Sequence, residues 1–387
     1  MGPELLAPAG NWDKLHVALR FGADAVYVGG KVFGLRKYAE NFTNPELEAA
    51  VQRVHEASKK IYVVLNGFAH DSDLRALIPH LDFLNDIRPD AVIVSDWAVA
   101  ERVLHHTDIP LHVSTQASVT HWRAAKRWVN LGAKRVILAR ETSLQDCRSI
   151  KDHVDTELEV FIHGAMCASY SGKCVISNYS AGRDSNRGGC VQSCRHAYHL
   201  HTPTQSDDRY MMNARDLMAI DWVQSAIEVG ITSFKIEGRM KSTHYVANAC
   251  HVYRQALTAL SKLPPHTPLS DTLRQSYADQ LSRVSNRTFS GGGFNDLRDS
   301  INTQDGGTQK SRQLLGLVQF QHQNRSLIES RSPFRVGQSI RVFTPLGETE
   351  CHVTSLWDIH NRPIEQANPG ALVWMPGSWV SGDVICC

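Results

Sequence analysis

The sequence predicts an α/β fold: a (β/α)8 TIM-like barrel followed by a small antiparallel β-barrel domain. Three observations predict it. Short β-branched and apolar runs alternate with amphipathic helical spans from residue 4 to about residue 260, and eight such runs can be counted. Beyond residue 313 the helical periodicity stops, and short alternating runs broken by turns take over. Strands that are apolar along their length and separated by helices indicate a parallel sheet covered on its outside by helices. Eight units over about 250 residues match a closed barrel. A doubly wound open sheet is the alternative, because periodicity does not reveal closure.

The elements follow in order. ELLAPAG (Glu4 to Gly10) reads as a strand, and NWDKLHVALRFG as a helix capped by Asn11 and closed by Gly22. Further strands begin at Ala25 (AVYVGG), Ile61 (IYVVLN), Ala91 (AVIVSD), Leu111 (LHVSTQ), Arg135 (RVILAR), Leu158 (LEVFIHG) and Ser233 (SFKIEGR). PELEAAVQRVHEASKK (Pro45 to Lys60) is a helix with Pro in its first turn. YMMNARDL (Tyr210 to Leu217) complicates the count as a possible extra strand. The last barrel helix runs from Thr243 to about Leu260, closing a first domain at 1–262 with a cysteine-rich insertion at 164–212. A connector at 263–312 holds the Pro-rich LPPHTPLS, a Ser-capped helix (Ser270 to Val284), FSGGGF and the Gly-rich NTQDGGTQKSR. Residues 313–387 form the small β domain.

Composition narrows the function. The 387 residues are 42% hydrophobic and 21% charged, which suits an ordinary globular protein with a sizeable core. The first residues, MGPELLAPAGNWDKL, lack a basic region followed by an apolar run, and no stretch reaches the roughly 18 to 20 apolar residues of a membrane span. A cytoplasmic, non-membrane protein is expected. In that reducing compartment nine cysteines argue for a metal site over disulfides. The net charge of +2 decides little, since the distribution matters more.

Chemistry in such barrels sits at the C-terminal strand ends. Polar residues recur there: Asn66, Ser95, Asp96, Ser114, Gln116, Arg140, Glu141, His163, Lys235, Glu237 and Arg239. Ser95, Asp96 and Ser114 read as helix caps. Directly after FIHG come four cysteines, Cys167, Cys174, Cys190 and Cys194, with six, fifteen and three residues between them. The last pair has zinc-finger spacing and the first does not, while iron-sulfur clusters tolerate varied spacing. Spacing alone leaves zinc and an iron-sulfur cluster level. A thiol nucleophile would draw on His163 or His196, a weak signal among 19 histidines. Around the cysteines Lys173, Arg183, Arg187 and Arg195 face one acid, Asp184, giving either a phosphate-gripping or a merely solvated loop. Cys147 and Cys250 read as core residues; Cys351, Cys386 and Cys387 suggest no site. There is no HExxH helix, GxSxG elbow, Walker loop or GxGxxG.

EVFIHGAMCASYSGKCVIS (Glu159 to Ser177) resembles the signature of the collagenase-like peptidases, the unclassified-peptidase family numbered thirty-two. LLAPAGNWDKL, AVYVGG, STQ at Ser114, SNRGGCVQSCR, MNARDL, FKIEGRMKS and NRTFSGGGF extend the resemblance over most of the chain. Within the family the sequence is most similar to the bacterial tRNA-hydroxylation branch. The resemblance implies oxygen-independent, prephenate-linked hydroxylation of the tRNA wobble uridine to 5-hydroxyuridine. Other branches act on ribosomal RNA or ubiquinone, and the family name makes a peptidase the rival. It also implies a 4Fe-4S cluster on Cys167, Cys174, Cys190 and Cys194, with Cys194 the least secure ligand. Four thiolate ligands suit electron transfer or support better than direct substrate activation. tRNA and an electron donor protein are the implied partners; a non-catalytic RNA-binding or electron-carrying role is a further rival. The residues expected to do the chemistry are His163, Asn213, Asp216, Lys235, Glu237 and Arg239. Lys235 and Arg239 would hold a carboxylate such as prephenate's, and Glu237 would act as acid or base. A Lys-Glu-Arg network bracing the last strand is the competing reading.

Overall fold

The computed structural model describes residues 2–31, 33, 40–201, 206–284, 287–295, 297–304 and 312–387. The Gly-rich part of NTQDGGTQKSR and Asn286 of the NRTFSGGGF motif lie outside the described residues.

Eight parallel strands close into a ring: β1 (Glu4–Pro8), β2 (Ala25–Val28), β3 (Lys60–Leu65), β4 (Ala91–Val94), β5 (Leu111–Val113), β6 (Arg135–Ile137), β7 (Glu157–Ala165) and a last strand at Ser233–Ile236. The last strand pairs in parallel with both β1 and β7, so the sheet has no edge there and the open-sheet alternative is excluded. All eight coincide with the apolar runs of the sequence. Between β7 and the last strand lie a hairpin, β8 (Tyr198–His201) with β9 (Ser206–Arg209), and β10 (Asp216–Met218); the last strand is therefore β11. β10 resolves the doubtful Tyr210 to Leu217 segment. It pairs antiparallel with the end of β7, Asp216 opposite Ala165 and Met218 opposite His163, so it thickens the wall without entering the ring.

The helices start where short polar side chains can satisfy free amides. Asn11 accepts from the Lys14 amide to open α1 (Trp12–Arg20). Thr43 and Glu46 form a reciprocal capping box on α2 (Asn44–Glu56). Next come α3 (Asp71–Ile87), α4 (Trp97–His106), α5 (Trp122–Leu131), α6 (Leu144–His153), α7 (Ile176–Ala181) in the cysteine segment, α8 (Val223–Val229), α9 (Thr243–Ser261) and α10 (Asp271–Ser282), capped by Ser270. Among the described residues no helix is long and apolar enough to cross a membrane.

The C-terminal part is an antiparallel sheet of eight strands. Leu314–His322 sits between Val384–Cys386 and Arg325–Ser330, and no ladder joins the outermost strands, Gly347–His352 and Pro363–Ile364, among the described residues. It has its own apolar core around Leu315, Ile328, Val342 and Val373. Phe343 leaves that core to pack on Phe21 of α1, ring centroids 4.8 Å apart, and Arg20 pairs with Asp383 at 2.6 Å.

Charged side chains fill part of the barrel interior. Arg135 of β6 bonds Glu4 of β1 at 2.6 Å and Glu159 of β7 at 3.0 Å, while Tyr62 of β3 donates to Glu4 at 2.7 Å. Groups from strands around the ring can meet only inside it. Burial favours the neutral acid, but the Lys235 and Arg135 charges outweigh it and hold Glu159 down at about 2.

Candidate active site at the barrel mouth

The C-terminal ends of the strands surround one pocket. Tyr27, Asn66, Ser114, Arg140, Phe161, Lys235, Glu237 and Arg239 come from the barrel, and Cys167, Cys174, Cys190 and Cys194 from the segment laid across it. All four cysteines thus face the same cavity as the β11 residues. Their arrangement starts with β7, which runs on past the ring because β10 pairs with its end, and so delivers Cys167 to the rim.

The segment is fastened to the strand ends by protein bonds. Glu141, after β6, accepts from the Ser171 amide at 2.9 Å, and the Ser171 hydroxyl accepts from the Arg140 amide at 3.2 Å. Ser118 donates to the Ser171 carbonyl at 2.5 Å. Gly172 has φ +76° and lies against the Gln116 carbonyl, an approach that leaves no room for a Cβ. Asn186 donates its amide to the Cys174 carbonyl at 2.9 Å, and its own carbonyl accepts from the Phe68 amide.

The thiols differ. Burial raises Cys174, but the nearby Ser169 hydroxyl and the Ile176 and Ser177 amides favour its thiolate and bring it below the ordinary thiol value. Desolvation raises Cys167 and Cys194; charge on Cys174 and Cys190 raises both further, and charge on Cys167 acts on Cys194 as well. Among the described residues no three His, Cys, Asp or Glu side chains converge tightly enough for a single metal ion. The four sulfurs ring a cavity. As a donor set they suit a larger body with one thiolate per corner, because hydroxyls and backbone amides directed at sulfur are the second shell such clusters use.

Of the residues expected to act, three reach the pocket. Lys235 is 5% exposed, bonds Glu159 at 2.9 Å and lies 4.5 Å from the Tyr27 ring centroid. Glu237 accepts from the Tyr27 hydroxyl at 3.4 Å and lies 3.9 Å from Arg140. Arg239 bonds the Asn41 side chain and crosses the face of Gly29, where a Cβ would overlap its guanidinium. The other three lie outside the pocket lining. His163 is 1% exposed between Tyr245 and Tyr253, burial holds it at about 3, and its Nε2 has no hydrogen-bond partner among the described residues. Asn213 accepts from Arg287 at 2.9 Å and Asp216 from Lys241 at 3.0 Å, both fully enclosed.

The basic residues divide likewise. Arg187 is committed to Asp73 and the Phe68 carbonyl, both at 2.6 Å. Arg195 donates to the Met166 carbonyl at 3.2 Å and lines the pocket. Lys173 and Arg183 are exposed. Glu159 went unnoticed in sequence reading; an acid inside an otherwise apolar strand was the signal. Arg140 stood among the strand-end residues but not among those expected to act, and its guanidinium lies 4.2 Å over the Phe161 ring at the cavity wall.

Among the described residues no histidine lines this pocket. The arrangement is a cationic wall (Arg140, Lys235, Arg239) with one carboxylate (Glu237), opposite four thiols. It can orient an anionic or hydrogen-bonding planar ligand beside four thiols.

The model of peptidase family U32 matches residues 10–304, and that of the family's C-terminal domain matches 310–384. The tRNA hydroxylation protein P1 of Bacillus subtilis is 37% identical, covering 94% of this chain and 89% of that protein. A 23S rRNA 5-hydroxycytidine synthase of Escherichia coli is 38% identical over 66% of this chain and 39% of its own length. A collagenase of Porphyromonas gingivalis is 27% identical, covering 91% of this chain and 83% of its own.

Proposed function

This chain belongs to peptidase family U32, and from that premise we propose that it is an RNA-modifying enzyme that hydroxylates the wobble uridine of tRNA at C5 without dioxygen. The observation that carries the reading is the meeting of four thiols with Arg140, Lys235, Glu237 and Arg239 around one cavity. The relatives named for tRNA and rRNA hydroxylation support it.

Replacing the C5 hydrogen by hydroxyl oxidises the base by two electrons, and a 4Fe-4S cluster held by Cys167, Cys174, Cys190 and Cys194 supplies one-electron redox chemistry when bound. The chain's own residues do the rest. An anticodon-loop base is already unstacked, so bringing it into the cavity costs little. Arg140 and Arg239 offer guanidinium forks to a carboxylate, prephenate's being the one the reading assigns. Glu237, with the Tyr27 hydroxyl on one oxygen, is placed to take or return a proton at the base. Lys235 is neutralised by Glu159, so it shapes the floor more than it adds net charge. The cysteine segment lies across the mouth, with Cys167 and Cys190 still exposed. With water as the oxygen source the step releases two protons and two electrons, so the redox partner assigned here is a protein that accepts electrons from the cluster, one at a time, rather than the donor that the resemblance implies.

A peptidase is disfavoured by the pocket, because among the described residues no histidine lies beside its serines and cysteines as the usual base for a nucleophile. The test is mass spectrometry of tRNA nucleosides from a deletion strain lacking any parallel hydroxylation route. Loss of 5-hydroxyuridine derivatives, restored by the wild-type gene and not by Cys167→Ser, is expected; an unchanged nucleoside profile overturns the reading.

A further inference from the structure

A second depression adjoins the pocket, and Asn66, Gln116, Gly172 and Asn186 line both. Trp97, Trp128 and Phe68 line it too, with Lys173 and Arg127. Trp97 opens α4 and stacks on Trp128 of α5 with centroids 3.9 Å apart and planes 8° from parallel. Trp128 is 3% exposed, whereas Trp97 keeps 49% of its surface in solvent. One indole face is therefore covered and the ring is held flat, with the rest of it open to the depression. Phe68 is 54% exposed, yet its backbone is fixed on both sides, by the Asn186 carbonyl and the Arg187 guanidinium.

Such rigid apolar surface is costly to leave in water unless it has a use. Lys173 and Arg127 are exposed, and neither has a carboxylate partner among the described residues. The nearby Asp96 is occupied, accepting from the Ala98 and Val99 amides as the cap of α4. Flat aromatic faces flanked by unpaired cations are how proteins hold single-stranded nucleic acid, the ring taking a base and the cation its phosphate.

We propose that Trp97, braced by Trp128, is a stacking platform for the unpaired base next to the one in the pocket, and that Lys173 and Arg127 hold the intervening phosphates. This subsite rests on the reading of the protein as an RNA enzyme. The shared wall sets the distance between the two bases, so the enzyme would require an unstacked dinucleotide and not merely an accessible uridine.

Equilibrium binding of a short RNA stem-loop with a uridine in its loop tests it, using the wild-type chain, Trp97→Ala and Trp97→Phe. Each is compared on intact RNA and on RNA made abasic at the nucleotides flanking the uridine. Trp97→Ala should bind intact RNA about tenfold more weakly, within the range for one base stacked on one aromatic side chain, and Trp97→Phe should keep most of the affinity. The abasic RNA should lose about the same factor with the wild-type chain and nothing further with Trp97→Ala. Should Trp97→Ala fail to fold, the abasic comparison on the wild-type chain still decides. Equal binding of intact RNA by wild type and Trp97→Ala overturns the subsite alone. Failure of the wild-type chain to bind any stem-loop RNA overturns the RNA reading, and the subsite with it.

Discussion

The Lys235 ammonium lies 2.9 Å from Oε1 of Glu159, a carboxylate with no solvent exposure whose other oxygen takes Arg135 at 3.0 Å. One acid thus holds two cations inside the barrel. Removing it leaves both charges buried with less compensation, the costly way to break a buried pair. Glu159→Gln should destabilise the fold by about 3–5 kcal/mol in urea unfolding. Lys235→Met should cost less, because Glu159 keeps Arg135. Equal losses would mean that the two pairs are not coupled through Glu159.

Gly29 predicts a separation of activity from stability. Its φ is not in the left-handed region, and the nearest atoms to a Cβ there belong to the Arg239 guanidinium. Gly29→Ala should displace that guanidinium and lower hydroxylated nucleoside in a complemented strain by roughly tenfold to a hundredfold, as small misplacements at reacting centres do. Its melting temperature should stay near wild type. Gly164→Ala should do the opposite, losing the fold first, because φ is +108° and the Cβ would strike the Glu237 carbonyl.

Serine at Cys167, Cys174, Cys190 or Cys194 should abolish iron and acid-labile sulfide in anaerobically purified protein, while Cys147→Ser, in the buried face of α6, should leave both unchanged. Stoichiometric zinc without sulfide in the wild-type chain would sink the cluster assignment.

Five buried histidines predict an acid-labile fold, His251 among them, held below its ordinary value by burial. Burial lowers His80 and His244 to about 4, and His112 and His163 to about 3, with the Arg135 charge also acting on His112. Between those values and the ordinary 6.5 the unfolded chain binds protons that the folded chain refuses, so stability rises with pH and falls on acidification. The slope is about 1.4 kcal/mol per pH unit for each such group. Glu159 acts lower: its contribution is complete above the usual carboxylate range and is lost toward about 2. Unfolding free energy measured from pH 6.5 to 4.5 should therefore drop steeply, and His163→Asn should flatten the slope by one proton. A pH-independent stability over that range would contradict the burial of these rings.

Much of this molecule was legible because barrel strands are nearly uniform in polarity. Runs such as AVYV and AVIV have apolar side chains on both faces, and each is a ring strand in the structure. β10 was harder, since a three-residue strand beside an existing wall carries no periodicity of its own. Strand-end position found Lys235, Glu237 and Arg239 but could not show direction. His163 sits near the same end of its strand, yet its ring lies between two tyrosines of α9, because alternate residues of a strand point to opposite faces. Arg187 looked available for phosphate, and nothing local in the sequence announced Asp73, more than a hundred positions earlier, as its partner.

The bond from Glu141 to the Ser171 amide bears on how this protein is assembled. A zinc finger has no fold until its metal arrives, since the ligands are its only fastening. Here the loop that carries the thiols is moored to the strand ends by carboxylate, hydroxyl and amide bonds that involve no sulfur. The path of the thiol-bearing loop therefore does not depend on bonds to its sulfurs, and Cys167→Ser should leave the melting temperature near that of the wild-type chain.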